Sequence, residues 1–94
     1  MGPDAVDGLA IAQVRVAWAE LMAEARLERG PLSSRVSRVT GGTVHVEASE
    51  AVLAQELTLR ADALTWALNE RMKGRPGAII LVHGIAVSVG RIGS

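Results

Sequence analysis

Near the middle of the chain two glycines, Gly41-Gly42, stand between two stretches of strand-forming residues, Ser33 to Thr40 and Thr43 to Ala48. Adjacent glycines supply the positive φ angles of a two-residue hairpin turn at little steric cost. The pair therefore predicts an antiparallel hairpin at the centre of the chain, against which everything before and after it must fold. In the second strand Val44 and Val46 alternate with Thr43, His45 and Glu47, the pattern of a sheet with one wet face. In the first strand Val36 and Val39 are three apart, which strict alternation does not allow on one face, so a bulge is expected near Ser37 and Arg38.

Helical spacing occupies the flanks. From Ala5 to Arg29 the residues Ile11, Val14, Trp18, Leu21, Met22 and Ala25 form one apolar stripe, with Asp7 as a capping candidate and Gly30-Pro31 as the stop. A second helix is expected from about Glu50 to Lys73, with Ser49 as N-cap and Glu50 suited to the positive end of the dipole. Its main stripe is Leu53, Leu57, Ala61, Leu64, Leu68 and Met72, and it stops at Gly74 and Pro76. The run Ala78 to Val82 reads as a strand covered on both faces or at the sheet's centre. Ile85, Val87 and Val89 alternate after it, as a further strand or as a tail that pairs with another molecule's sheet edge. The order α-β-β-α-β, with an optional last strand, predicts one α+β domain over residues 1–94: a two-layer sandwich with two helices on one face of a small mixed sheet, preceded by a short disordered start over about residues 1–6.

Composition narrows the function. There is no cysteine, which excludes a disulfide framework, a thiolate nucleophile and any Cys-based zinc site. The acidic start lacks a secretory signal, and the run Ala78 to Val82 is far too short to span a bilayer, so a soluble cytoplasmic protein is expected. Neither His45 nor His83 has metal-ligand spacing to a partner, no nucleophile elbow or Walker loop is present, and the carboxylate pairs Glu47/Glu50 and Glu20/Glu24 come without a pocket signal. The expectation is a protein that is not an enzyme and carries no cofactor or metal. Net charge is zero, yet nine of the ten basic residues are arginine, which leaves local phosphate-binding patches open.

Several local signatures resemble the DciA family of bacterial factors that recruit or operate the replicative helicase. Val14-Arg-Val-Ala-Trp18 with the small Ala25 resembles the family's opening tryptophan helix, and Gly42-Thr43-Val44-His45-Val46 its glycine and second strand. Ser49, Leu53, Gln55-Glu56-Leu57, Leu64 and Leu68-Asn69-Glu70 resemble its capped helix. The resemblance spans roughly Val14 to Val82 and implies a K-homology-like fold, contact with the hexameric replicative helicase, and some affinity for single-stranded DNA. The chain departs from many members in having no long basic extension and in ending on Ile85 to Ile92, which argues that DNA binding is weak and that helicase contact comes from the globular domain. The implied location is cytoplasmic and nucleoid-associated.

Two groups of residues are the candidate sites. Val52, Leu59, Ala63 and Trp66 fall on a second apolar stripe of the second helix, separated from the first by Glu56 and Arg60. Either helix one covers this stripe, or Trp66 and Leu59, flanked by Arg60, anchor a partner. Arg15, Arg26, Arg35 and Arg38 form a phosphate-positioning strip if the helix border and first strand converge, the alternative being arginines paired with surface carboxylates. Gly74-Arg-Pro-Gly77 spells the GXXG of K-homology domains, but there the loop joins two helices, whereas here it leads from a helix into a strand. Alternative functions are a K-homology-like RNA-binding module and a self-associating domain without nucleic-acid binding, the latter as a homodimer through an edge strand or segment 85–92.

Overall fold

The structure, a computed structural model, describes residues 3–28, 32–74 and 81–90. Along the chain run α1 (Pro3–Ala25), β1 (Ser34–Thr40), β2 (Thr43–Ala48), α2 (Ala51–Leu59), α3 (Ala61–Lys73) and β3 (Gly84–Val89). The fold is α+β, with three helices and a three-stranded mixed sheet in the order β1-β2-β3 among the described residues. β1 pairs antiparallel with β2, and β3 pairs parallel to β2. A parallel neighbour requires a crossover, and α2 with α3 provides it.

The hairpin forms where the glycines require it. Gly41 and Gly42 have φ of 57° and 84°, both positive as a type I′ turn demands, with Thr40 opposite Thr43. Gly42 has a second reason to be glycine, because a Cβ there would run into the His83 ring. The expected bulge lies between Val36 and Arg38: Val36 pairs with Val46, Arg38 with His45, and Ser37 is the extra residue. The Ser37 hydroxyl donates to the His45 carbonyl at 3.2 Å, which ties the bulge to the neighbouring strand.

Alternation on β2 is regular: Val44, Val46 and Ala48 are buried, while Thr43, His45 and Glu47 are half-buried. The buried face meets Val14, Ala17, Trp18 and Met22 of α1, Leu53 and Leu57 of α2, and Leu64, Leu68 and Met72 of α3. The two stripes expected from helical spacing supply most of the core, except that Ala25 is exposed, Ile11 and Ala61 are half-buried, and Ala17, outside the expected stripe, is fully buried. Trp18 donates its indole N–H to the Ser34 hydroxyl at 2.9 Å, so the largest core side chain leaves no buried donor unpaired.

Several expectations are corrected. α1 begins at Pro3, a residue whose fixed φ suits the first helical turn, so Asp7 lies within the helix instead of capping it. α1 stops at Ala25, not Arg29: Arg26 takes a left-handed conformation (φ 55°), and the Leu27 N–H reaches back to the Met22 carbonyl at 3.4 Å, as in a Schellman cap. Gly30 and Pro31 lie outside the described residues. The expected second helix is divided at Arg60 (φ −102°, ψ 10°), whose N–H is shared between the Glu56 and Leu57 carbonyls. Three helices, not two, therefore cover the sheet.

The N-cap of α2 is Glu50, with no side-chain cap hydrogen bond, while the Ser49 hydroxyl accepts from the Ser33 N–H at 2.9 Å and closes the open end of the hairpin. The sheet's centre is β2, not the run Ala78 to Val82. Of that run, residues 78–80 lie outside the described residues, and Leu81 and Val82 are not in a strand. Val82 finds a different partner: the Asn69 amide donates to its carbonyl and accepts from its N–H, both at 2.8 Å. One side chain thus does for this peptide what a neighbouring strand would do. The optional last strand is real and is β3.

Candidate docking groove and arginine cluster

The inner and outer stripes of α2 and α3 have opposite fates. Leu53, Leu57, Leu64, Leu68 and Met72 are buried, whereas Val52, Leu59 and Trp66 are 64%, 76% and 67% exposed. Of the two expectations for the second stripe, cover by helix one does not hold for the single chain. α1 does pack along α3, and its Leu21 and Glu24 share a hollow with Trp66, but the outer stripe stays exposed.

Between the C-terminal half of α1 and the α2–α3 pair runs an apolar groove of three hollows. The first, about 270 Å³, is lined by Ala25, Arg26, Leu27, Leu32, Val52, Leu53, Glu56 and Arg60. The second, about 330 Å³, shares Ala25, Leu27 and Arg60 with it and adds Leu21, Glu24, Ala63, Leu64 and Ala67. The third, about 420 Å³, continues past Leu21, Glu24 and Ala67 to Trp66, Glu70 and Arg71. Shared walls make them one furrow. Each hollow alone is at or near the lower end of small-molecule sites and open to solvent, which suits the side-chain knobs of a protein partner better than an enclosed ligand.

Four of the five residues of the expected protein-binding stripe line this groove: Val52, Arg60, Ala63 and Trp66. Leu59, the most exposed, stands at the α2–α3 junction and is not part of its wall. Arg60 is held beside the groove by Glu56, one turn away, at 2.8 Å. At the other end Arg71 crosses from α3 to α1, with Glu20 at 3.1 Å and with Glu24. The Arg71 pKa is raised above the ordinary guanidinium value, chiefly by the hydrogen bond it donates to Glu24, then with burial opposing and Glu20 adding to the rise.

The four arginines expected to line a phosphate strip do not come together. Arg15 and Arg35 share a hollow between α1 and β1, lined also by Trp18, Ala19, Glu28, Ser34 and Val36. Arg15 donates from Nε to the Val36 carbonyl at 3.1 Å and from Nη2 toward the Ser37 carbonyl at 3.5 Å. Arg35 pairs with Glu47 across the hairpin at 2.8 Å. Glu28 adds a carboxylate to the same hollow, accepting from both the N–H and the hydroxyl of Ser34 at 2.7 and 2.6 Å. Arg38 lies in register with His45 on the sheet. Arg26 is eleven positions from Arg15, which over a helix is about 16 Å, and it belongs to the docking groove instead. Its left-handed backbone takes its side chain off the helical border from which convergence was expected.

Sequence reading missed Arg71, Asn69 and Leu27. The signal for Arg71 was present: Glu20 and Glu24 are four apart, hence on one helix face, and a lone arginine on the opposing helix is what such a pair requires. Among the described residues no group of three or more His, Asp or Glu is arranged to hold a metal, and no helix is long and apolar enough to cross a membrane. Comparison of the chain with family models, with curated proteins and with solved structures finds no match.

Proposed function

We propose that this chain is a DNA replication accessory domain, not an enzyme, that binds the hexameric replicative helicase and recruits or operates it, touching single-stranded DNA only weakly. The observation that carries the docking half of this reading is the groove beside Trp66: a large aromatic side chain two-thirds exposed next to an apolar furrow with arginine at its flank. Buried aromatic anchors with neighbouring arginine dominate protein interfaces. The helicase as partner rests on the resemblance to the DciA family carried by Val14 to Trp18, the Gly42 strand and Ser49 to Glu70. A cytoplasmic, nucleoid-associated location follows from that partner.

Weak DNA affinity follows from the arginines. Arg15 is engaged with backbone carbonyls and Arg35 with Glu47, and non-specific affinity scales with the number of phosphates neutralised. The RNA-binding alternative is disfavoured by the α2–α3 junction. K-homology domains clamp a backbone with a GXXG loop between two helices, whereas here the two helices meet at Thr58-Leu59-Arg60-Ala61, without a glycine. The K-homology-like element of the reading is supported by the opening helix, hairpin, helix pair and parallel strand.

Calorimetry of the chain against the replicative helicase of the same cell tests this. A measurable binding heat is expected, with Trp66→Ala weakening it by at least about tenfold, equivalent to roughly 1.4 kcal/mol. Absence of binding by the unmodified chain would overturn the proposal. With single-stranded DNA, anisotropy should give a shallow salt dependence, a slope of about −1.4 to −2.1 for two or three phosphate contacts.

A further inference from the structure

The two edges of the sheet are treated differently. On the β1 edge, the Ser34 N–H is taken by the Glu28 carboxylate, and the Val36 and Ser37 carbonyls by the Arg15 guanidinium. A bulge and two arginines, Arg35 and Arg38, add the usual deterrents to strand addition. The β3 edge has none of these. Its sequence, Gly-Ile-Ala-Val-Ser-Val, holds no charge and no proline, and among the described residues its outer side pairs with nothing. Val89 is 57% exposed.

We propose that β3 is the seat of a homodimer, in which a second copy of the chain pairs antiparallel with it about a two-fold axis through Val87. The register follows from the backbone. The Gly90 N–H donates to the Ala48 carbonyl at 2.9 Å, and Val89 is in register with Ala48. In a parallel ladder alternate residues face the same neighbour, so Gly84, Ala86 and Ser88 direct their backbone groups to β2, and Ile85, Val87 and Val89 direct theirs outward. Setting Val87 opposite its own copy puts Ile85 opposite Val89 of the second molecule, so every outward-facing N–H and C=O of the strand is paired, in about six hydrogen bonds.

The same register matches the side chains. Ile85, Val87 and Val89 lie on the face shared with Val44, Val46 and Ala48, and the axis brings them against each other, while the small Ala86 and Ser88 meet on the open face. A two-fold axis sets each central residue against its own twin, so a charged strand repels itself and an uncharged one does not. This singles out a second copy as the occupant. A six-residue strand pair covers less than a standard interface, so dissociation in the micromolar range is expected. The inference does not depend on what occupies the α2–α3 groove.

Sedimentation equilibrium of the full chain, from low micromolar to several hundred micromolar, should show a monomer–dimer equilibrium that Val89→Lys weakens by at least about tenfold at an unchanged circular dichroism melt. Because the chain has no cysteine, register is read by cross-linking. Ala86 and Ser88 are exposed and form a non-hydrogen-bonded pair, about 4.5 Å between Cα atoms, within disulfide reach. A mixture of Ala86→Cys and Ser88→Cys chains should oxidise to dimer far more than either variant alone. A mass that stays monomeric over the whole range would overturn the proposal. So would a dimer that Val89→Lys leaves intact, or cross-linking of the single variants equal to that of the mixture.

Discussion

Leu57 and Leu59 are two residues apart in one helix; the first is fully buried and the second is 76% exposed. Leu64 and Trp66 repeat the contrast in α3, at 7% and 67%. Apolar character is therefore present on both sides of the α2–α3 pair, and what separates the core from the exposed stripe is which side faces the sheet and α1. The sheet covers one side alone, and α1, with Leu21 and Glu24 beside Trp66, leaves the outer stripe open. The cost of leaving a tryptophan side chain in water is what supports the proposed docking on the uncovered side.

Substitutions test this contrast by magnitude. The largest effect is expected at the other tryptophan, where Trp18→Ala removes a side chain 2% exposed and bonded to Ser34, at a cost of about 3–5 kcal/mol. Chemical denaturation reads it, and a loss below about 1 kcal/mol would mean that Trp18 is not a core residue. Leu57→Ala should cost about 2–5 kcal/mol and Leu59→Ala less than about 0.5 kcal/mol. Equal costs for the two leucines would erase the distinction between the stripes. Arg26→Gly, at the hinge that ends α1, should stabilise by about 0.5–1 kcal/mol through release of the left-handed strain, with the melting temperature rising. The smallest effect on stability is expected for Trp66→Ala, within about 0.5 kcal/mol. Fluorescence sharpens it: iodide should quench Trp66 in the native chain, and a Trp66→Phe variant should show only the protected, blue-shifted emission of Trp18.

The α1–α3 cross-link responds to pH in a defined way. Because the Arg71 pKa is raised, its contribution is present below the unfolded value and lost only as strong alkali is approached. High salt screens the link.

Residue pattern made the hairpin, the bulge and both core stripes legible, because each depends on neighbours within a few positions: two glycines, two valines three apart, leucines every three or four residues. The end of α1 was not legible, since Arg26 takes the position where glycine is the usual sign. The break at Arg60 carries no glycine or proline, and propensity alone favours continuity there. The apolar run at Ala78 to Val82 suggests a strand, yet Asn69, thirteen residues before Val82, satisfies the Val82 backbone. For the candidate site, the apolar stripe could be read from helical spacing, but its exposure depended on which side of the α2–α3 pair the sheet and α1 cover. The arginine strip failed for a similar reason: spacing along one helix cannot say which carbonyls or carboxylates lie opposite.

Glu28 and Arg15, by occupying the backbone groups along β1, leave the sheet with a single growing side. Fibres need an acceptor at both flanks of every subunit, so a molecule built this way is chain-terminating: one encounter exhausts its capacity for sheet extension, and even a concentrated solution should stop at pairs instead of thickening into filaments.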